Sequence, residues 1–165
     1  MSLPFLEKTL QKYANEDRAI ARGDSKVNFC VVPDPQNAET ALNALRNSLG
    51  WPCLVLEFPD NEVSDESAAY DTLRTSIAVL HFADAKNAGK NDAKYVIYDV
   101  SKPAVERIIG RLKKEAKKKI IKDGCTPLQV MSRVSGEWIG PVLNGAWGYR
   151  YTIEIRFWRD PFHCE

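Results

Sequence analysis

The stretch WGYRYTIEIRFW, from Trp147 to Trp158, decides the fold. Successive side chains in a β-strand point to opposite faces, so this run predicts a half-buried strand. One face carries Trp147, Tyr149, Tyr151, Ile153, Ile155 and Phe157, and the other carries Gly148, Arg150, Thr152, Glu154, Arg156 and Trp158. The apolar face needs a broad surface to pack against. Arg150 is expected on the outer face, where its substitution should change the free energy of unfolding little.

A second strand is expected immediately before this one. Asn144-Gly145, just ahead of Trp147, is a tight-turn signal. The partner strand is predicted from Glu137 to Val142. Gly140-Pro141 limits its length, because proline cannot donate a hydrogen bond to a neighbouring strand.

Length and composition predict one ordinary folded domain. The 165 residues, taken as a single domain 1–165, are enough to bury a core without a metal or disulfides. The net charge of +1 provides no strong overall field toward DNA or a membrane, so any electrostatic function must come from local clustering. No apolar run approaches the roughly 20 residues that cross a bilayer. The charged N-terminal stretch does not resemble a signal peptide, so we expect no membrane partner and synthesis in the cytoplasm.

Hydrophobic periodicity divides the rest of the chain into helices and strands. Helices are predicted over residues 3–20, 35–49 and 95–119, the last with a break or kink at Pro103. Further strands are predicted at residues 26–32, 51–58, 72–82 and 128–134, the second of them buried. The sequence therefore predicts an α+β fold, with a mostly antiparallel sheet of about five or six strands and helices packed on one face.

The cysteines and histidines are too widely spaced to predict a metal site. No CxxC pair occurs among the cysteines, which are Cys30, Cys53, Cys125 and Cys164. All are expected to be free thiols, and the first two to be buried. His81 lies at a predicted strand end and His163 near the C-terminus, without the local framework of a zinc site.

An acidic stretch, Asp60–Glu66 (DNEVSDE), permits two interpretations. Clustered carboxylates bind divalent metals or act in pairs in catalysis, as a metal-dependent enzyme such as a nuclease would require. The stretch is also predicted to be a loop between strands, with no glycine turn and no partner cluster. A solvated loop is the favoured interpretation.

A basic stretch closes the third predicted helix. Its cations are Arg107, Arg111, Lys113, Lys114, Lys117, Lys118, Lys119 and Lys122. Cations suit the negative end of the helix macrodipole, and they also contact nucleic-acid phosphates in a salt-dependent way. The lysines surround most of the helix and few aromatic residues lie among them, which favours a solvated helix end. A nucleic-acid-binding module using residues 107–122 is the alternative function.

The familiar catalytic signatures are missing. The chain has no GxxxxGK(S/T) phosphate loop, no GxGxxG and no GxSxG nucleophile elbow. A cysteine–histidine nucleophile pair can assemble from distant positions, but no residue pattern supports one. We therefore expect a protein that is not an enzyme, with no catalytic, cofactor-binding or metal-binding residues, whose function depends on its surfaces.

In its layout the chain resembles the tail terminator, or tail-completion, proteins of long-tailed bacteriophages and prophages. Short motifs across most of the chain carry the resemblance: Gly50-Trp51-Pro52 leading into CLVLEF, the strand LRTSIAVLHF, the helix VERIIGRLKKE and the closing NGAWGYRYTIEI. The resemblance implies an α+β fold and a head–tail joining protein, or minor tail protein, that forms a homo-oligomeric ring, commonly a hexamer. It implies no catalytic residues.

Such a ring caps the completed tail tube and presents a surface to the head-side connector. The implied partners are further copies of the chain, the tail tube protein and the head–tail connector protein. The implied location is the virion, after synthesis in the host bacterial cytoplasm. The acidic 60–66 stretch and the lysine-rich 113–122 segment depart from the family pattern, so the resemblance does not assign ring contacts to individual residues.

Overall fold

The structure is a computed structural model. It describes residues 3–21, 27–32, 40, 43, 47–58, 60–62, 70–82, 90–118, 122–123, 126–130, 135–143 and 145–158. Several predictions fall outside these residues, namely most of the helix at 35–49, the acidic positions 63–66, Cys125, His163 and Cys164. Thr40 and Asn43, the described positions early in that predicted helix, are helical.

The described elements follow the predicted order of helices and strands, with two additional short strands at residues 60–62 and 122–123. They are α1 (Leu3–Glu16), β1 (Val27–Val32), β2 (Leu49–Glu57), β3 (Asp60–Glu62), β4 (Tyr70–Phe82), α2 (Lys90–Tyr95), a π-helical segment (Val96–Ser101), α3 (Lys102–Lys117), β5 (Lys122–Asp123), β6 (Thr126–Val130), β7 (Ser135–Val142) and β8 (Ala146–Trp158).

The strands form a sheet in the order β1-β2-β4-β8-β6-β5, with β3 also paired to β4 and β7 also paired to β8. β1 and β2 run parallel, and the other described pairs are antiparallel. The predicted α+β fold with a mostly antiparallel sheet is confirmed.

β8 is the strand around which the sheet is built. It pairs with β4 along its whole length, from Ala146 opposite Phe82 to Trp158 opposite Tyr70. On its other side, β7 pairs with its first part and β6 with its last part. The predicted partner strand and turn are also confirmed, since Val142 pairs with Ala146 and the turn includes a glycine at a positive φ of 126°.

Burial confirms the period-two prediction for β8. Ile153 and Ile155 are fully buried in the larger of two hydrophobic cores, and Tyr149 and Tyr151 pack against that core. The same core takes buried residues from both long helices, including Leu6, Leu10, Tyr13, Val105, Ile108 and Leu112. Both long helices therefore lie on the face of the sheet that carries the apolar side of β8: α3 and the π-helical segment pack on β8 itself, and α1 packs on β1 and β2.

The sheet separates the larger core from a smaller one. Ile77 and Val79 of β4 belong to the larger core, whereas Ala78 and Leu80 belong to the smaller core. Because consecutive strand residues point to opposite faces, the two cores lie on opposite sides of the sheet. The helices in the described part of the chain pack on one face, as predicted.

The third helix differs from its prediction. It begins at Lys90, inside the predicted loop, and a π-helical segment precedes Pro103. Proline has no backbone N–H for the bond to residue i−4, and its ring crowds the preceding turn. The turn before Pro103 is therefore where a widened helix is expected.

Two further boundaries correct the sequence predictions. β2 begins at Leu49, which was predicted to be helical; Gly50 lies against the Asn28 side chain, where a Cβ atom would clash. The start of the acidic stretch is not a loop, because β3 pairs with β4 with Asp60 opposite Arg74. β2 and β3 therefore pair with successive parts of β4.

Candidate functional site: the edge formed by β7 and α3

An exposed aromatic surface lies where β7 meets β8. Trp138 of β7 is 54% exposed, and its ring centroid is 6.1 Å from that of Trp147 on β8. Trp138 pairs with Tyr149 in the sheet, so the two side chains project on the same face as α3. We name this surface the aromatic edge and define it as Trp138, Trp147, Tyr149 and Tyr151.

Contacts with β7 and α3 hold the two tyrosines of the aromatic edge. Their ring centroids are 5.1 Å apart, and both rings lie against Gly136, where a Cβ atom would clash. The Tyr151 hydroxyl donates a 2.7 Å hydrogen bond to Glu106, and Lys102 Nζ lies 5.5 Å from the Tyr149 ring centre. Burial and the Glu106 carboxylate raise the pKa of Tyr151 above its ordinary value, so the hydroxyl stays a neutral donor.

β7 is an edge strand among the residues that the structure describes. It pairs with β8 on one side, and no described strand covers its other side. Open strand edges offer backbone hydrogen bonds to another chain. Pro141, which follows a cis peptide bond, lacks a backbone N–H. The part of the edge that can pair fully is therefore residues 135–139, which includes Trp138.

The other face of β8 carries ion pairs around Arg150. Arg150 Nη1 lies 2.9 Å from Glu57 Oε1, and Arg150 Nε donates a 3.0 Å hydrogen bond to Glu137. The Glu57 side chain is 16% exposed and that of Glu137 is 59% exposed. Arg150 thus lies opposite the Ile153 face, as predicted. The expectation that its substitution costs little does not fit these contacts, because it is the cation for a largely buried carboxylate.

Two arginines of the basic stretch hold the helices together. Arg107 forms a two-bond ion pair with Asp17, at N–O distances of 2.9 and 3.0 Å. Arg111 contacts Glu16 at 2.6 Å and Glu115 at 2.7 Å. Burial alone would raise the pKa of Asp17, but hydrogen bonds from Arg107 and a backbone N–H hold it below its ordinary value. The basic surface is therefore smaller than the sequence indicates.

The lysines that follow remain at the surface. We define the lysine end as Lys113, Lys114, Lys117 and Lys118, of which Lys113 is half-buried and the others are exposed. No ion pair joins these lysines to a described residue. Lys114, Lys117 and Lys118 therefore carry positive charge at the surface of the described part of the chain.

Neutralising Lys117 and Lys118 is expected to leave the fold intact. Exposed substitutions usually change the free energy of unfolding by about 0.5 kcal/mol or less. Thermal melting of the Lys117→Gln/Lys118→Gln variant measures this, and a large fall in Tm would show that the segment is packed or paired. Loss of low-salt DNA retention in a folded variant would favour the nucleic-acid-binding alternative.

The acidic stretch lies largely outside the part of the chain whose side chains the structure describes. The described residues contain no group of three or more His, Cys, Asp and Glu side chains that could hold a metal ion. Of the acidic stretch, the structure describes the backbone of Asp60–Glu62, as strand β3. His81 is half-buried near the end of β4. That the protein is not an enzyme stays a prediction.

Cys30 and Cys53 are buried free thiols, as predicted. Their Sγ atoms are 3.9 Å apart across β1 and β2. The contact with Cys30 and burial both raise the pKa of the Cys53 thiol. A buried neutral thiol is a poor nucleophile, so this pair contributes packing to the smaller core.

Sequence reasoning missed two features of this region. It did not identify Trp138 as exposed, because that exposure depends on the order of strands in the sheet, which leaves β7 with no described strand on its outer side. It also did not pair Arg107 with Asp17, which lies 90 positions away. The acids Glu16 and Asp17 were the only sequence signal for this ion pair, and no short-range pattern connects them with α3.

Comparisons with known proteins give no family assignment. No protein-family model matches the chain, and no curated protein matches it at a significant level. No helix among the described residues is long and apolar enough to cross a membrane.

Proposed function

We propose that the protein is a tail terminator of a long-tailed bacteriophage or prophage. In this function, identical copies form a ring that caps the tail tube and joins it to the head–tail connector protein in the virion. The observation that carries the proposal is the aromatic edge, in which an exposed tryptophan lies on β7, a strand whose outer side no described strand covers.

The motifs of the family resemblance fall on successive elements of the described fold. Gly50-Trp51-Pro52 lies in the first part of β2, and LRTSIAVLHF lies within β4. VERIIGRLKKE lies within α3, and NGAWGYRYTIEI spans the turn and most of β8. The α+β fold agrees with the fold that the resemblance implies, and this agreement supports the proposal.

Trp138 is the strongest physical reason to expect a protein partner. Burying apolar surface stabilises an assembly by about 25 cal/mol per Å² before the costs of association. Tryptophan is enriched at the hot spots of protein interfaces, and a strand edge adds directional backbone hydrogen bonds. The aromatic edge therefore combines apolar area with a defined orientation, which a ring contact requires.

Sedimentation across protein concentrations, with and without tail tubes of the same phage, tests the proposal. We expect ring assembly that depends on concentration, or that occurs when tube ends template it. Trp138→Ala is expected to reduce assembly without changing the Tm of the protomer. Tyr95→Ala is the matched control, because Tyr95 is a 61% exposed aromatic residue on α2, outside the aromatic edge.

Two outcomes would count against this interpretation. A chain that stays monomeric at every concentration and never binds tube ends would contradict the terminator function. Equal loss of assembly in Trp138→Ala and Tyr95→Ala would show that the aromatic edge is not the specific contact surface.

A further inference from the structure

The outer side of β7 is open over its first half. Residues 135–138 are all exposed, and no described strand pairs with their outer side. β5, the last strand in the described sheet order, pairs with the first residues of β6 and not with β7. An open strand edge can take up a strand from another chain. Pro141, which has no backbone N–H, limits full pairing to residues 135–139.

This edge is complementary to a second copy of itself. When two copies of residues 135–139 pair antiparallel, all of these positions overlap in one register only. In that register Glu137 lies opposite Glu137, and Gly136 lies opposite Trp138. Gly136 and Trp138 are both on the α3 side of the sheet, because alternate residues of a strand share a face. The pairing therefore places a tryptophan opposite a glycine on each side of a two-fold axis.

Gly136 has no room for a side chain of its own. A Cβ atom at this position would clash with the rings of Tyr149 and Tyr151. Glycine in a strand leaves the backbone poorly covered, and an aromatic residue on the neighbouring strand covers it. Directly opposite positions lie close enough for side-chain contact. Trp138 of the second copy therefore covers Gly136 and contacts the two tyrosine rings.

A groove continues from Tyr151 along α3. We name it the α3 groove; it has a volume of about 240 Å³ and is lined by Glu106, Ile109, Gly110, Lys113 and Tyr151. Ile109 is buried and supplies apolar lining. Gly110 keeps the groove open, because a Cβ atom added there would meet no atom within 4 Å. Glycine is unfavourable inside a helix, and an open groove gives a reason for its presence in α3.

The chemistry of the α3 groove suits an indole ring. The N–H of a buried tryptophan needs a hydrogen-bond acceptor, and Glu106 is an exposed carboxylate at the groove. Lys113 supplies a cation for the face of the ring, and Tyr151 adds an aromatic wall. The groove thus offers apolar contact, an acceptor and a cation to one side chain.

The tryptophan that fills the α3 groove comes from another copy. Within one copy, Trp138 lies near Trp147, which is on the far side of Tyr149 from the groove. A two-fold rotation reverses the direction of β7. Trp138 of the second copy therefore starts opposite Gly136 and extends past Tyr151 toward the groove.

We propose that two copies of the chain pair through β7 about a two-fold axis at Glu137, with Trp138 of each copy in the α3 groove of the other. Such an isologous contact is complete after two copies. The pair does not depend on the proposed ring, and a ring built from such pairs needs a second contact between them. The exposed tryptophan, the open strand edge and the groove are then covered together.

Sedimentation of the purified protein across concentrations, without tail tubes, tests the pairing. We expect the wild type to exchange between single copies and pairs. Trp138→Ala removes the indole and Gly110→Leu fills the groove, and each is expected to lower the association constant at least tenfold. Gly110→Leu is expected to keep the fold and raise the Tm, because leucine favours a helix more than glycine does. Its loss of pairing is then separate from any loss of folding.

A mixture of the two variants tests whether tryptophan and groove meet between copies. Each mixed pair regains one of the two tryptophan–groove contacts, so the mixture is expected to associate more tightly than either variant alone. The double variant Trp138→Ala/Gly110→Leu is expected to restore nothing when added to either. Gln11→Leu is the matched control, since Gln11 is exposed on α1, and it is expected to pair like the wild type.

The residue at the two-fold axis provides an independent test. Like charges directly opposite each other weaken a strand pair, so Glu137→Gln is expected to raise the association constant by up to about fivefold. Glu137→Cys places two thiols opposite each other, and oxidation with diamide is expected to link two copies by a disulfide. Lys8→Cys, at an exposed position of α1, is the control and is expected to crosslink no more than the wild type.

The outcomes separate this pairing from the proposed function. A wild type that stays monomeric in solution but forms rings on tube ends would overturn the pairing and leave the terminator function standing. A mixture that associates no better than its components, or a Glu137→Cys variant that does not crosslink, would also overturn the pairing. Pairs that form in solution and never bind tube ends would support the pairing and contradict the terminator function.

Discussion

Ile153→Ala is expected to lower the free energy of unfolding by about 2–5 kcal/mol. Ile153 is fully buried in the larger core, between the sheet and the helices. The substitution removes apolar contacts and leaves a cavity, and the surrounding structure relaxes only partly into such a space. β8 is paired with β4 throughout, which limits how far the strand can move. Urea unfolding followed by circular dichroism measures the loss.

Ile153→Val is the control for this prediction. It removes a single carbon at the same position and is expected to cost about 0.5–1.5 kcal/mol. The two variants together report how tightly the core is packed around β8. If Ile153→Ala costs no more than Ile153→Val, the apolar face of β8 is not the centre of the core.

Arg150→Ala is expected to destabilise the protomer by about 1.5–3 kcal/mol, the range for removing hydrogen bonds to charged groups. Arg150 bonds both Glu57 and Glu137. Removing it leaves the Glu57 carboxylate, which is 16% exposed, without its cation. Burial of an unpaired charge is the main cost of breaking such a pair. The same urea unfolding assay measures it.

A double-mutant cycle identifies the physical source of that cost. Glu57→Gln combined with Arg150→Ala is expected to cost less than the sum of the single changes, since no unpaired carboxylate then remains. Glu137→Gln is the matched control on the exposed side of the network and is expected to stay within about 0.5 kcal/mol of the wild type. Equal costs for Glu57→Gln and Glu137→Gln would mean that burial does not matter here.

Much of the fold could be predicted because it follows from short-range patterns. The alternation of Trp147–Trp158 specifies which residues share a face, and the turn residues before it specify a hairpin. Both signals act over a few positions, so neighbours in sequence are sufficient to establish them. The π-helical segment was only partly predicted, since Pro103 marks where a helix is disturbed but not how the backbone accommodates it.

Little of the candidate site could be predicted in the same way. The sequence shows the basic stretch as a run of cations. In the structure, however, Arg107 forms an ion pair with Asp17, just after α1, and Arg111 forms one with Glu16, the last residue of α1. The aromatic edge combines residues of β7 and β8, and α3 contacts its two tyrosines. The exposure of Trp138 depends on β7 having no described strand on its outer side. Exposure and pairing of this kind depend on contacts between residues that are far apart along the chain.

The sequence by itself determined the α+β class, the hairpin of β7 and β8, and the apolar face of β8, because periodicity and turn chemistry are local. Only the tertiary structure decided that Trp138 is exposed, that Arg150 neutralises a largely buried Glu57, and that Arg107 pairs with Asp17. The physical reason is that strand order and register bring distant residues together or hold them apart. Local propensity has no means of specifying either.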